Sequence, residues 1–286
     1  MEIQDLRPEY PIPVKRVGFK NLVRRVTIKS PSGPLQLTVS LDLFVEISSE
    51  RKGAHLSRNV DAVNLLERIP EESWSLEGFA DTLHKELLEL HPYSASATVR
   101  LRTTYWAIAK AIGLESLEPV YVQVVVNGDR SSKMYSISVT VKGMTVCPSA
   151  KATVSEMLDQ GEMSPSHVQK VLLRGTIRVP KLIVLRIEDV AACLWSSLSA
   201  PTFTLLKKRQ EARLVISAFH NPKFAEDVVR DAIVKLWCRF KDTLPEGSLV
   251  RSEALSLESI HPQNVYAMSY GTPKELSGVK CDESEC

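Results

Sequence analysis

Four side chains of types that bind divalent metal ions lie in the second half of the chain. Cys147 ends a predicted strand just before Pro148, and His167 precedes another predicted strand. Glu211 and His261 lie in polar segments between predicted elements. A thiolate, a carboxylate and neutral imidazoles all bind Zn²⁺ or Fe²⁺, so the four residue types suit one divalent ion. Their spacing matches no compact metal motif, so a buried, unreactive thiol remains the alternative for Cys147.

Two further polar features could bind an anionic or hydrogen-bonding ligand. The first is the basic segment Arg-Lys-Gly-Ala-His-Leu-Ser-Arg-Asn at residues 51–59, whose simpler explanation is a solvated loop that caps the next helix. The second is Glu226 in the first turns of a predicted helix, where a carboxylate also suits the helix dipole. Because Arg230 follows four residues later, a surface ion pair is the alternative explanation for Glu226.

Periodic apolar patterns predict the elements that must position these side chains. The first half of the chain carries two predicted strands, two predicted helices and two more predicted strands, at residues 23–28, 35–45, 60–68, 75–90, 94–104 and 120–126. Turn residues at 30–34 join the first two strands. Asn127-Gly128 predicts a tight turn into the next strand.

The second half repeats this order of elements. Its predicted strands, helices and final strands lie at residues 135–146, 168–178, 188–197, 222–240, 249–257 and 265–269. The later helix is predicted to start at Asn221-Pro222, a cap residue followed by proline. No residue-level repeat accompanies the duplication. The order alone predicts two units, at residues 1–129 and 130–272, followed by a disordered polar tail at 273–286.

Composition narrows the class of protein. The 286 residues include 36 Lys and Arg against 34 Asp and Glu, so the bulk charge favours neither a nucleic acid nor a membrane as partner. No run approaches the roughly 18 apolar residues of a membrane helix, and the first residues contain no apolar signal core. The expected location is the cytoplasm. The five cysteines are odd in number and widely spread, which does not indicate a disulfide framework.

Taken together, these segments resemble the type IB GTP cyclohydrolase family and its archaeal relatives. The resemblance spans residues 11–270 and rests on separate stretches, namely residues 51–59, Gly-Met-Thr-Val-Cys-Pro at 143–148, 205–211, 221–230, and Glu-Ser-Ile-His at 258–261 with Tyr266 and Ala267. It implies an α+β class and a tandem tunnelling fold of two ββααββ units that assemble into an oligomeric β-barrel. It also implies a homo-oligomer, expected to be a tetramer.

The resemblance also implies roles for the candidate residues. The metal-site positions of the family fall on Cys147, His167, Glu211 and His261, which would hold one divalent ion per subunit, Fe(II) in the first place and Zn or Mn as alternatives. Cys147 and His167 are the expected catalytic residues. Glu226 falls on the position that anchors the purine ring. The other expected contacts to GTP come from His55, Ser57, Arg58 and Lys207.

The archaeal branch of this family is an iron-dependent enzyme of tetrahydromethanopterin synthesis. It converts GTP to 7,8-dihydroneopterin 2′,3′-cyclic phosphate with release of formate and diphosphate, and this is the function that the resemblance implies. One alternative is the bacterial-type enzyme, which gives dihydroneopterin triphosphate. Another is a tunnelling-fold enzyme in which Cys147 is a covalent nucleophile, as in the nitrile reductases of queuosine synthesis.

A third alternative is a non-catalytic member that binds a purine or pterin. It is suggested by four departures from the family pattern, at Ser149, Val168, Lys170 and Gln263. The proposed ligands survive these departures. Lys170 stands where the family has an Arg, which bears on phosphate handling, and Gln263 stands where the family has the second His of a His-x-His run, which bears on proton transfer.

Overall fold

The computed structural model describes residues 2–30, 33–66, 75–159 and 164–281. The chain divides by its internal contacts into two compact units. The first comprises Met1–Thr104, Val122–Ile137 and Arg178–Val184, and the second comprises Tyr105–Tyr121, Ser138–Ile177 and Leu185–Cys286. The tandem division at residue 129 follows chain order rather than these contacts, and it stays a prediction.

Nine strands and seven α-helices lie within the described residues. The strands are β1 (Val14–Ser30), β2 (Gly33–Ile47), β3 (Ala97–Ala111), β4 (Leu114–Gly128), β5 (Lys133–Val146), β6 (Val168–Val179), β7 (Ala200–Pro201), β8 (Leu249–Leu257) and β9 (Val265–Gly271). The helices are α1 (Ser57–Leu66), α2 (Leu76–Leu90), α3 (Pro148–Leu158), α4 (Ile187–Ser196), α5 (Lys208–His220), α6 (Ala225–Phe240) and α7 (Pro273–Leu276). None of these helices is long and apolar enough to cross a membrane.

Chain order follows the predicted pattern. The elements β1, β2, α1, α2, β3 and β4 give the predicted strand-strand-helix-helix-strand-strand order. The helices predicted at 188–197 and 222–240 correspond to α4 and α6, so the second half gives the same order with β5, β6, α4, α6, β8 and β9, and it adds α3, β7 and α5. The duplication read from the apolar periodicity is therefore present in the order of elements.

In the first unit, the period-two pattern of β2 sets the core. β2 pairs antiparallel with β1 along its whole length and with β3 between residues 39–45 and 97–103. Leu41 and Leu43 are fully buried, as the alternation predicts. α2 begins at Leu76, one residue after the predicted start, because Ser75 is its N-cap residue and the Ser75 hydroxyl accepts the N–H of Gly78 at 2.9 Å.

In the second unit, α4 packs against α6, and α6 packs against β8 and β9. Gly175 of β6 permits the close approach of both helices. A Cβ atom there would lie 2.8 Å from a methyl carbon of Leu236 and 2.9 Å from one of Leu194. Gly143 of β5 likewise permits the close approach of β7, since a Cβ atom at this position would lie 2.8 Å from the carbonyl oxygen of Ala200.

One turn prediction differs from the structure. Asn127-Gly128 ends β4, and residues 129–132 make the connection to β5. The Asp129 carboxylate accepts the N–H groups of Ser131 and Ser132 at 2.7 Å, which closes this longer loop. The turn predicted at residues 30–34 and the end of the helix predicted at 60–68 include residues outside the described ranges.

The helix predicted from Pro222 begins at Ala225 instead. Asn221 ends α5 rather than starting α6, and its side chain donates to the carbonyl oxygen of Leu198 at 3.1 Å. The N–H of Phe224 is capped by the Asp227 carboxylate at 3.1 Å. The proline therefore lies in the connection between two helices.

The C-terminal segment also differs from the sequence expectation. Residues Pro273–Leu276 form α7, and Cys281 forms a disulfide bond with Cys238 of α6. The expectation of disorder is thus wrong for 273–281, while residues 282–286 lie outside the described part. One pair among five scattered cysteines carries no sequence signal, because only the fold brings residues 238 and 281 together.

Breaking this disulfide should lower stability while leaving the fold unchanged. The bond closes a loop with a sequence separation of 43 residues, and loops of this size typically contribute about 2–4 kcal/mol. The denaturant unfolding midpoint of Cys281→Ser without reductant should therefore be lower than that of the oxidised wild type and should equal that of the wild type in reductant. Equal midpoints for Cys281→Ser and the oxidised wild type would contradict the prediction.

Candidate active site

Cys147 lies at the junction of a strand and a helix. β5 ends at Val146 and α3 starts at Pro148, so Cys147 is the N-cap residue of α3. Its sulfur accepts the N–H of Ala150 at 3.5 Å, and the side chain is half-buried. The predicted place of this thiol at a strand end beside a helix start is confirmed. The positive end of the helix dipole favours negative charge at this position.

His167 lies directly beside Cys147 through backbone contacts. The Cys147 N–H donates to the carbonyl oxygen of His167 at 3.2 Å. The hydroxyl of Ser166 donates to the carbonyl oxygen of Cys147 at 2.7 Å. The His167 side chain is 14% exposed. Neighbouring strand ends thus place Cys147 and His167 side by side along the backbone.

The segment before β9 adds two more groups to this site. The rings of His261 and His167 have their centroids 6.5 Å apart and lie nearly perpendicular. The Glu258 carboxylate lies 3.8 Å from Nδ1 of His167, and its side chain is 8% exposed. Ser256 donates to this carboxylate at 2.9 Å, which holds it in place.

Glu258 is a site residue for which the sequence predicted no role. Its signal was present, because it lies three residues before His261 in the Glu-Ser-Ile-His segment. A nearly buried carboxylate beside an imidazole is a common partner of a metal-binding histidine. The structure therefore brings Cys147, His167, His261 and Glu258 to one region of the second unit.

The remaining predicted metal ligand, Glu211, takes part in none of these contacts. Its side chain is exposed in the first turn of α5 and makes no hydrogen bond or ion pair with the described residues. Among those residues, no three ligand atoms of the predicted quartet lie within 4.8 Å of one another. The donor types still fit zinc or ferrous iron. Assigning the quartet to a metal therefore stays a prediction.

The two substrate candidates of the second unit are both exposed. Glu226 lies in the first turn of α6, and Lys207 precedes α5. Arg230 pairs with Asp227 at 3.1 Å, and no ion pair joins it to Glu226 in the described structure. The Glu226 carboxylate is thus open to a ligand.

The basic segment at residues 51–59 is ordered by contacts within the first unit. Asn59 is fully buried, and its amide donates to the carbonyl oxygen of Leu43 at 3.1 Å. Arg58 donates to the carbonyl oxygen of Leu90 at 2.9 Å, and Ser57 begins α1. A solvated capping loop is therefore the wrong description of this segment.

Buried His91 supports the segment from beneath. Its Nε2 contacts the Asn59 side-chain oxygen at 2.8 Å, and its Nδ1 contacts the Tyr93 hydroxyl at 2.7 Å. Burial lowers the pKa of His91 to about 4, and the positive charges of Arg58, His55 and Arg51 add to this effect. A neutral His91 satisfies both neighbours across the physiological pH range.

The N-terminal residues place two carboxylates on the basic segment. Glu2 lies 2.6 Å from Nδ1 of His55, and Asp5 lies 3.2 Å from its Nε2. The hydrogen bond from His55 is the largest cause that lowers the pKa of Asp5. Within the described residues, Glu2, Asp5 and His55 are the only group of three potential metal-binding side chains whose ligand atoms lie within 4.8 Å of one another. Because Arg51 also binds Asp5 and approaches His55 at 2.7 Å, we interpret the group as a salt-bridge cluster.

Removing these carboxylates should strengthen anion binding at His55. The double substitution Glu2→Gln and Asp5→Asn removes both carboxylates from the ring nitrogens of His55, and the gain should be small because exposed ion pairs contribute little. We expect roughly fivefold tighter binding of inorganic tripolyphosphate by calorimetry. Glu9→Gln, an exposed acidic neighbour, is the control. An unchanged affinity in the double variant would show that no anion competes for His55.

Comparisons with known proteins agree with this picture. The family described as Type I GTP cyclohydrolase folE2 matches residues 1–267. GTP cyclohydrolase MptA of Aeropyrum pernix is 46% identical over 271 residues, which cover 94% of each chain. GTP cyclohydrolase MptA of Picrophilus torridus is 30% identical and covers 93% of this chain and 92% of the relative. GTP cyclohydrolase FolE2 of Dictyoglomus turgidum is 30% identical, with coverage of 93% and 96%.

Solved structures of uricases share the fold. Uricase from Arthrobacter globiformis aligns with a TM-score of 0.53 and 10% identity, covering 94% of this chain and 96% of that one. A hyper-thermostable AgUricase mutant aligns with a TM-score of 0.56 and 10% identity, covering 95% of both chains. At identities this low, the structural similarity shows the fold alone. This similarity confirms the predicted α+β tunnelling fold. Because the family match covers nearly the whole length of the chain, the chain belongs to the type I GTP cyclohydrolase folE2 family.

Proposed function

We propose that this protein is a metal-dependent GTP cyclohydrolase of the methanopterin type. It would open the imidazole ring of GTP, release formate and diphosphate, and give 7,8-dihydroneopterin 2′,3′-cyclic phosphate. The observation that carries the proposal is that Cys147 and His167 lie side by side, joined by a backbone hydrogen bond of 3.2 Å from the Cys147 N–H to the His167 carbonyl oxygen. The chain that carries them is 46% identical to a GTP cyclohydrolase MptA.

The proposed metal ligands are Cys147, His167, Glu211 and His261, around one divalent ion per subunit. Fe(II) is the first candidate, with Zn and Mn as alternatives, since thiolate, imidazole and carboxylate groups suit such ions. A bound divalent ion supplies Lewis-acid activation of water for the two hydrolytic steps at the imidazole ring. Glu258 beside His167 supports the orientation of that imidazole.

The other proposed contacts recognise the substrate. An ionised Glu226 accepts two parallel N–H bonds, which matches the N1–H and the exocyclic amine of guanine. Its exposure and the pairing of Arg230 with Asp227 support this role. His55, Ser57, Arg58 and Lys207 are the proposed partners of the ribose and phosphate groups.

The assembly that we propose is a homotetramer. β1 is an edge strand in the first unit and β9 is an edge strand in the second, because each ends the order of hydrogen-bonded strands. Edge strands carry unpaired backbone groups that favour pairing with another subunit. Closure of such edges into an oligomeric barrel would remove them. Nucleic acid and membrane partners are not part of the proposal.

Anaerobic incubation with GTP and Fe²⁺, followed by mass analysis of the product, tests the function. We expect formate and a pterin cyclic phosphate. A triphosphate-bearing pterin would assign the protein to the bacterial-type reaction. Binding of GTP without formate release would identify a non-catalytic member, and full activity of rigorously metal-free protein would favour Cys147 as a covalent nucleophile.

A further inference from the structure

A buried amide lies against the imidazole of His167. Gln169 is two residues further along in β6 and is 4% exposed, and its Nε2 is in hydrogen-bond contact with Nδ1 of His167. At its other end, Gln169 Oε1 accepts the hydroxyl of Thr145 at 3.1 Å. Thr145 belongs to β5 and is 3% exposed. The amide is therefore held at both ends in a nearly dry environment.

Nδ1 is thus the constrained nitrogen of His167, and Nε2 is the free one. Nε2 makes no hydrogen bond with any residue that the structure describes. The Glu258 carboxylate also faces Nδ1, but at 3.8 Å it lies beyond hydrogen-bond distance. Gln169 is therefore the direct partner of the ring, and Nε2 is the nitrogen available to a metal.

The direction of the amide decides which nitrogen carries the ring proton. A neutral imidazole has one N–H and one lone pair. With the Gln169 amide nitrogen facing Nδ1, the proton resides on Nε2, and that nitrogen cannot bind a metal. A half-turn of the amide brings Oε1 to Nδ1, which then donates, and it frees the Nε2 lone pair. Thr145 satisfies both arrangements, since a hydroxyl donates or accepts.

We propose that Gln169, braced by Thr145, is a positioning residue that sets the tautomer of His167. Metal binding through Nε2 goes with the amide orientation in which Oε1 accepts from Nδ1–H. This inference rests on the proposed function in one respect, the role of His167 as a metal ligand. Hydrogen bonds of this kind to the second ring nitrogen orient metal-binding histidines and increase their affinity.

The same two strands provide a matched control. The hydroxyls of Ser138 in β5 and Thr176 in β6 lie 2.9 Å apart in the second unit. This pair joins neighbouring strands as Thr145 and Gln169 do, but it has no contact with His167. If Gln169 only joined β5 to β6, Thr176→Val should have the same effect as its removal.

Cobalt binding separates the two explanations. Gln169→Met keeps the side-chain volume but removes both hydrogen bonds, and we expect Co²⁺ to bind about 10–100-fold more weakly, as measured against a chromophoric chelator. Gln169→Glu offers only acceptors to Nδ1–H and should stay within a few-fold of wild type. Thr145→Val, which removes only the brace, should show a smaller loss. Thr176→Val should bind cobalt like the wild type.

Nitrogen NMR reads the tautomer independently of activity. Long-range ¹H–¹⁵N spectra of the wild type should show the His167 proton on Nε2 without metal and on Nδ1 with zinc. In metal-free Gln169→Met, the His167 proton should no longer have a fixed preference for one ring nitrogen. If Gln169→Met bound cobalt as tightly as the wild type does, the role of Gln169 would be overturned and the proposed metal centre would stand. A wild type that binds no cobalt would overturn the proposed metal centre and this inference with it.

Discussion

Replacement of Cys147 by alanine is expected to abolish metal binding and GTP turnover while the fold persists. Cys147 is the only thiol in the proposed ligand set, and metal ligands act as a unit. Metal content should fall from about one ion per subunit to near zero. The cost to stability should stay at or below about 1 kcal/mol, because the sulfur accepts a single long N-cap contact, at 3.5 Å.

Elemental analysis, formate release and thermal unfolding together check this expectation. Cys193→Ala is the control, because Cys193 is the other described cysteine that forms no disulfide, and it is 2% exposed in the core. It should lose stability but keep its metal. A Cys147→Ala protein with full metal content would show that this thiol is not a ligand.

Glu226→Gln should weaken GTP binding and leave metal content unchanged. The substitution replaces one acceptor with a donor that faces the N–H donors of guanine. Hydrogen bonds to charged groups are worth about 1.5–3 kcal/mol, so KM should rise roughly 10- to 100-fold. Stability should hardly change, because Glu226 is exposed and Arg230 pairs with Asp227 instead.

Asp227→Asn is the matched control for Glu226→Gln. Asp227 caps the N–H of Phe224 at 3.1 Å and pairs with Arg230, so its loss should reduce stability by about 1 kcal/mol. Its KM for GTP should stay near that of the wild type. If both variants raised KM equally, the effect would come from the helix start as a whole rather than from guanine recognition.

The sequence by itself determined the features that depend on local periodicity. Alternation in β2 and the helical spacing in α2 predicted elements that the structure contains, because burial of one face leaves a repeating apolar pattern. Pro148 after Cys147 likewise predicted the strand end, since proline cannot continue a ladder. The resemblance to a family predicted the fold that the comparisons then confirmed.

Only the tertiary structure decided the features that depend on distant or competing contacts. α5 was missed as a helix because only Leu214 and Ala218 are buried along it, which leaves almost no apolar stripe. Arg230 could pair with Glu226 four residues before it or with Asp227 three residues before it, and the structure pairs it with Asp227.

The surroundings of His167 follow the same rule. Gln169 and Thr145 lie on different strands, and Glu258 lies far along the chain, so no local pattern links them to one imidazole. The disulfide between residues 238 and 281 has the same origin. Sequence periodicity reports which face of an element is buried, whereas the identity of the side chains that meet there is set by how the strands and helices pack.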